Sequence, residues 1–284
     1  MVHIQSQLRT TYIFILFTVL FSTTALSLNP SRTYKQRPEK YNMEYKEVKV
    51  KTEDGAELNV WNFPCKNTKT TNLILIAHNG EGNMGDYLQR VDLFRSEYNV
   101  VIFDYRGYGE SSEFEIDRNM FIYPHFQNDM EAMFDYCRKQ HAQTFNVYGW
   151  GIGGGLVFGV GYSRPETKKI IADTPFLSME DLENRFESWD EPMEVPFAGY
   201  DKRNEPLYSL ENAPGKFLQS VKLIIGSNDY LFSAEDLKNL RAKNKTATSL
   251  INKDIYVVEN PDRKDNFKIN KEAYTKVVLD FFKD

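Results

Sequence analysis

Four short apolar runs rich in β-branched residues, 73–77, 100–104, 145–148 and 169–172, constrain this chain most, because a helix-length stretch separates each from the next. Strands that are apolar throughout are buried on both faces, and strands joined by crossovers of that length run parallel. The alternation predicts a parallel sheet covered by helices on both faces. Two further runs, 221–225 and 255–258, follow a proline-rich interval and extend the pattern. Helices are expected over 84–95, 123–140, 151–162, 234–242 and 270–282. Ahead of the sheet, alternating residues 44–51 and 57–63 flank Thr52-Glu53-Asp54-Gly55, an antiparallel hairpin with its turn.

The interval 178–216 carries Trp189, Pro192, Pro196, Pro206 and Pro214 and has little periodicity. In this order of elements it falls where a small lid would cover the C-terminal edge of the sheet, the edge at which such sheets bind ligands. No internal repeat marks a second domain, so residues 44–284 are expected to form one domain behind a polar leader, 28–43.

Upstream of that leader, Arg9 precedes an apolar stretch, 12–20, followed by the small residues Ser22, Thr23, Thr24 and Ala25. That is the layout of a secretory signal peptide over 1–27, with cleavage near Ala25 or Ser27, and it points to a secreted or periplasmic protein. The apolar centre is shorter than the roughly 20 residues of a membrane span, which favours cleavage over an anchor. Membrane contact is expected only through this segment, if it stays uncleaved. The chain carries 35 Lys and Arg against 40 Asp and Glu, a mildly acidic balance that argues against a nucleic-acid partner. Cys65 and Cys137 are its two cysteines. Export leaves a disulfide between them open, but they form neither a disulfide scaffold nor a metal-binding spacing. Asn244-Lys245-Thr246 is a glycosylation sequon.

Four segments at strand ends carry the chemistry: His78-Asn79-Gly80-Glu81-Gly82-Asn83, Asp104-Tyr105-Arg106-Gly107-Tyr108-Gly109-Glu110-Ser111, Gly149-Trp150-Gly151-Ile152-Gly153-Gly154 and Gly226-Ser227-Asn228-Asp229. In this order and spacing they resemble the α/β-hydrolase superfamily over residues 44–284. The closest likeness is to its serine aminopeptidase-like branch, which also has a segment similar to Asp173-Thr174-Pro175-Phe176-Leu177-Ser178. The resemblance implies an α/β-hydrolase fold, a mostly parallel twisted sheet with helices on both faces and a small lid.

The resemblance also locates what is missing. The superfamily's nucleophile elbow reads Gly-x-Ser-x-Gly, on a sharp strand-to-helix turn. Gly149 and Gly153 match its glycines, and the nucleophile position is Gly151. Without oxygen or sulfur there, no acyl-enzyme forms at that position, while glycine suits the strained backbone. The catalytic histidine should lie between the last strand and the final helix, yet the histidines are His3, His78, His125 and His141. Lys264 or Arg263 takes the expected place; arginine stays protonated, and lysine serves as a base only with a strongly depressed pKa. Asp229 stands where the acid would be, as a remnant able to pair with either cation or as a loop-capping aspartate.

His78 begins the loop whose backbone N–H helps form the oxyanion hole in such enzymes, here with His-Asn-Gly in place of His-Gly-Asn. The backbone N–H of Ile152, at a helix start, remains able to bind an anion or carbonyl oxygen. Asp104, Arg106 and Ser111 read as a structural turn. The run Gly153-Gly154-Gly155 lacks both phosphate-loop and dinucleotide patterns, so no cofactor is expected. Asp129, Glu131 and Asp135 read as the solvated face of a helix whose aromatic stripe is core, and no metal site is expected.

The resulting expectation is an exported pseudo-hydrolase that keeps a pocket for a small, partly apolar ligand or a peptide, touched by His78, Asn79, Gly151, Ile152 and lid residues such as Phe186 or Trp189. Two alternatives stay open. One is an active ester or amide hydrolase with a rearranged site, using Asp229 with a water or Lys264 with a displaced serine such as Ser111, Ser112 or Ser178. The other is a protein-interaction module using the lid or the outer helices.

Overall fold

The computed structural model describes residues 28–67, 69–140, 143–189, 192–233, 235–236, 238, 255–261 and 265–283. Its strands, in chain order, begin with β1 (Asn29–Pro30), β2 (Lys46–Lys51), β3 (Glu57–Phe63), β4 (Leu73–Ala77) and β5 (Glu81–Gly82). They continue with β6 (Asn99–Phe103), β7 (Phe145–Trp150), β8 (Thr167–Asp173), β9 (Ser220–Gly226) and β10 (Tyr256–Val258). Eight of them form one sheet in the order β10-β9-β8-β7-β4-β6-β3-β2. The hairpin β2–β3 is antiparallel and joins β6 antiparallel, whereas β6, β4, β7, β8, β9 and β10 run parallel.

The parallel strands are apolar throughout because both faces are covered. In β4, Leu73, Leu75 and Ala77 enter one core, while Ile74 and Ile76 enter the other, as the twofold period of a strand requires. The first core is built against α2 (His125–Gln140), α3 (Ile152–Ser163) and α4 (Met179–Phe186). The second is built against α1 (Leu88–Phe94) and, after the short α5 (Pro206–Ser209) and α6 (Asn266–Ile269), the C-terminal α7 (Lys271–Lys283). Helix α3 has no polar face; Ile152 to Tyr162 are all buried, the pattern of a helix enclosed on every side. Within 178–216, α5 and a turn at Lys202–Asn204 pack on it.

Several expectations change. The helix expected over 84–95 is split, because Asn83 and Asp86 form a capping box that opens a tight 3-10 turn, Met84–Tyr87, ahead of α1. The polar leader packs on the domain: Leu28 and Met43 are buried, and β1 pairs in parallel with β5. Cys65 and Cys137 are both free thiols, which closes the disulfide option. Asp129 is not on a solvated face but fully buried, because Arg106 reaches it with two nitrogens, Nε at 2.9 Å and Nη2 at 2.6 Å. Arg106 also binds Asp54, so the expectation of a structural turn holds there. The segment 1–27, the sequon and most of the helix expected over 234–242 lie outside the described residues.

Candidate functional site

The β7–α3 junction keeps the geometry of an elbow. Gly151 has φ 57° and ψ −128°, a backbone region that residues with a Cβ enter only under strain. Its N–H donates to the Asp173 carbonyl at 2.9 Å, and its own carbonyl accepts from Gly155 N at 3.2 Å. Gly149 and Gly153 are small for reasons of space: a Cβ on Gly149 would stand 2.3 Å from the Gly153 carbonyl oxygen, and one on Gly153 would stand 2.3 Å from that of Ala77.

A Cβ on Gly151 would meet the Cβ of Asn79 at 2.8 Å. Residue 79 is where the resemblance to the superfamily's His-Gly-Asn places glycine, so a Cβ at 79 stands opposite an elbow residue that has none. Asn79 is held in place, its Oδ1 accepting from the Tyr87 hydroxyl at 2.6 Å. As the N-cap of α3, Gly151 supplies no side-chain acceptor to the first turn, which leaves the Ile152 N–H at an uncapped helix start.

His78, by contrast, has no exposed surface. Its ring lies among Tyr87, Tyr105 and Tyr108, and its Nδ1 accepts from the Gly80 N–H at 3.1 Å, which puts the proton on Nε2. Burial pushes its pKa down to about 3, so the imidazole is neutral. Nε2 stands 3.6 Å from Asp104 Oδ1, beyond hydrogen-bond reach, and has no partner. His78 therefore shapes the loop from inside. The Tyr105 hydroxyl donates to the His78 carbonyl at 3.1 Å and that of Tyr108 to the Gly80 carbonyl at 2.8 Å, which pins the loop on both sides.

Asp229 caps its own loop, accepting from Leu231 N at 2.8 Å and Phe232 N at 3.3 Å. Burial raises its pKa, partly offset by those amides and by the Thr174 side chain. Lys264 and Arg263, the positions proposed for the lost histidine, lie outside the described residues. The described part of that loop presents asparagines instead. Asn266 Nδ2 donates to Asp173 Oδ1 at 2.7 Å and Thr174 Oγ1 at 3.1 Å, and its Oδ1 accepts from Asn260 Nδ2 at 2.8 Å.

Asp173, at the end of β8, also accepts from the Tyr274 hydroxyl at 2.6 Å, and burial raises its pKa to about 6. Tyr274 and Tyr148 share a hydrogen bond at 2.9 Å; Arg90 then bonds Tyr148 and Asp265 while lying over Trp150, 4.2 Å from the ring centre. A buried polar chain thus runs from the elbow to α1. Sequence reasoning missed Asp173, Thr174, Asn266 and Tyr274 as site residues. The available signal was an aspartate ending the apolar run Ile170-Ile171-Ala172. Thr174, with φ 51°, is a β-branched residue in a region such residues avoid.

The alternative hydroxyls are all committed. Ser111 Oγ donates to the Asp104 carbonyl and accepts from Asn59 N, Ser112 Oγ accepts from Glu57 N, and Ser178 caps α4. Phe186 is core, and Trp189 lies against it and Tyr230. Two surface grooves of about 620 and 800 Å³ flank α1 and α2, and no residue of the elbow, the 78–80 loop or the Asp229 turn lines them. Among the described residues no cluster of three or more His, Cys, Asp or Glu could hold a metal ion, and no helix is long and apolar enough to cross a membrane.

Comparison with known proteins matches this geometry. A family model described as serine aminopeptidase, S33, matches residues 68–196. The esterase Pf2001 of Pyrococcus furiosus superposes with a TM-score of 0.67 at 21% identity, covering 90% of this chain and 97% of the esterase. This chain has the α/β-hydrolase fold. An acylaminoacyl peptidase shares the fold at 14% identity and a TM-score of 0.61, over 85% of this chain and 41% of the peptidase. Among curated proteins, bem46 of Schizosaccharomyces pombe is 27% identical over 158 residues, 54% of this chain and 51% of bem46, so the match spans about half of that relative. The uncharacterized protein YfhR of Escherichia coli K12 is 25% identical over 218 residues, 72% of this chain and 70% of YfhR.

Proposed function

We propose that this α/β-hydrolase is an exported pseudoenzyme: it has lost serine catalysis, and its elbow serves as a binding or structural site. The observation that carries the reading is the approach of Asn79 to Gly151, because the elbow lacks a nucleophile and the space for one is taken. The absence of histidine beyond residue 141 supports it, since a serine without a base is a weak nucleophile. A ligand at the elbow, small and partly apolar or a peptide, would meet Asn79 and the Ile152 N–H, while His78 stays beneath the surface. Export rests on the layout of residues 1–27.

One observation favours an active hydrolase with a rearranged site: the strained Thr174, whose hydroxyl donates to Asp173 at 3.2 Å, adds to the influences on Asp229, whose pKa burial has raised. Both readings meet in one experiment. The purified protein, treated with a fluorophosphonate probe and a panel of short-chain p-nitrophenyl esters, is expected to show neither labelling nor turnover. Stoichiometric labelling that vanishes in Thr174→Val would instead establish a displaced hydroxyl nucleophile and end the pseudoenzyme reading.

A further inference from the structure

We propose that Asn79-Gly80 is a self-modifying site, at which the loop facing the elbow closes to a succinimide, loses ammonia and reopens as a carboxylate. The inference goes beyond the reading of the elbow as a binding site, and it needs no serine. Asn79-Gly80 is the one Asn-Gly pair in the chain, and a glycine after asparagine leaves the attacking amide nitrogen unshielded by a side chain. The fold itself requires glycine there: Gly80 has φ 81°, and a Cβ on it would stand 2.8 Å from both Ile152 Cδ1 and Leu28 Cδ2. Asn79 is only partly buried, so water reaches it.

The atoms that the closure uses already have their partners. The Gly80 N–H, whose nitrogen is the nucleophile, donates to His78 Nδ1 at 3.1 Å, which gives its proton an acceptor. Burial keeps that imidazole neutral, with a pKa of about 3, so the Nδ1 lone pair stays on this N–H at neutral pH. The electrophile is the side-chain carbonyl of Asn79. Its Oδ1 accepts from the Glu81 N–H at 3.4 Å, which folds the carboxamide back along the peptide that joins Asn79 to Gly80. The Tyr87 hydroxyl stands 2.6 Å from Oδ1 and 2.6 Å from the Glu81 carbonyl, so one proton serves two acceptors. As negative charge gathers on Oδ1, that proton commits to it. The bond is then stronger in the transition state than in the resting loop, which is what acceleration requires. Burial holds the Tyr87 pKa well above its usual value, so the hydroxyl keeps its proton.

The reaction balances with water as the only co-reactant. Gly80 N bonds to Asn79 Cγ, and its proton moves to His78 Nδ1. The Cγ–Nδ2 bond breaks, and Nδ2 leaves as ammonia with that proton. Water then opens the imide at either carbonyl, which gives aspartate or isoaspartate at position 79. The new carboxylate lies at the uncapped start of α3, beside Gly151, whose Cβ position is 2.8 Å from the Asn79 Cβ. A helix N-terminus favours negative charge, so the product is stabilised where it forms.

Mass spectrometry of the full chain, incubated at neutral pH, tests this. Loss of ammonia at residue 79, followed by aspartate or isoaspartate, is expected at least about tenfold faster in the folded chain than in a synthetic peptide of residues 75–84, because the loop supplies the donors to Oδ1. A folded chain that reacts no faster than the peptide would overturn the proposal. Tyr87→Phe, checked for folding by its melting curve, is expected to slow the reaction by at least about tenfold, since one of those donors is gone. A rate in that variant equal to the unmodified chain's would also overturn it. If Tyr87→Phe does not fold, the comparison of the unmodified chain with the peptide decides alone. Ester turnover or fluorophosphonate labelling would defeat the pseudoenzyme reading without touching either result.

Discussion

At the scale of single residues, Gly151 and Asn79 are one feature. Restoring serine at 151 places a Cβ 2.8 Å from that of Asn79 and imposes φ 57° on a residue with a side chain. Gly151→Ser is expected to destabilise the fold by about 1–3 kcal/mol, the usual cost of a strained backbone position. Asn79→Gly removes the opposing atom, so the double variant should recover on the order of 1 kcal/mol relative to the sum of the singles. Urea unfolding of the four proteins measures this coupling, and strict additivity would refute the steric exchange. Each half was legible in the sequence, as a glycine in Gly-x-Ser-x-Gly and as His-Asn-Gly in place of His-Gly-Asn. Their contact was not, because it depends on the register that sets Ala77 beside Gly149 at the ends of β4 and β7.

At the scale of elements, the chain from Asp173 through Tyr274 and Tyr148 to Arg90 fastens the loop before α6 to the sheet and to α1. Tyr274→Phe removes the donor to Asp173 and should cost about 1–3 kcal/mol, as buried polar groups left short of a partner do. The sign with pH follows from which form the hydroxyl serves. It donates to the ionised carboxylate, and the Asp173 pKa of about 6 leaves that group ionised at pH 8 and protonated at pH 5. The loss should therefore be larger at pH 8, and denaturant midpoints at the two values check it. The alternation of apolar runs made strands and helices readable, since burial on both faces writes itself into composition. The polar chain was not readable, because its members come from β7, β8, α1 and α7 and become neighbours only once the sheet closes. For the same reason the leader read only as a polar segment: its buried residues, Leu28 and Met43, are too sparse to show a period.

At the scale of the whole molecule, buried ionisable groups set how stability follows pH, and they pull in opposite directions. Burial raises the Asp104 pKa to about 7 and the Asp173 pKa to about 6, against roughly 3.9 in an unfolded chain. Between those values the folded protein keeps protons that the unfolded chain has released, so these two contributions are full below about pH 4 and are lost as pH rises through 6 and 7. His78 works the other way: with a folded pKa of about 3 against roughly 6.5 unfolded, its contribution is present above pH 6.5 and lost as pH falls. Around pH 5 Asp104 and Asp173 hold protons in the folded state, as do Asp129 and Glu205, whose pKa values burial raises to about 6 and about 7, against one on the unfolded imidazole, so the carboxyls prevail. The protein is expected to melt at a higher temperature at pH 5 than at pH 8. Asp104→Asn, which fixes a neutral group where Tyr34 and Met84 N donate, should narrow that difference. Calorimetric melting of both proteins at the two pH values decides it. An unchanged difference in the variant would mean that Asp104 is ionised throughout, held as an anion by those two donors despite its burial.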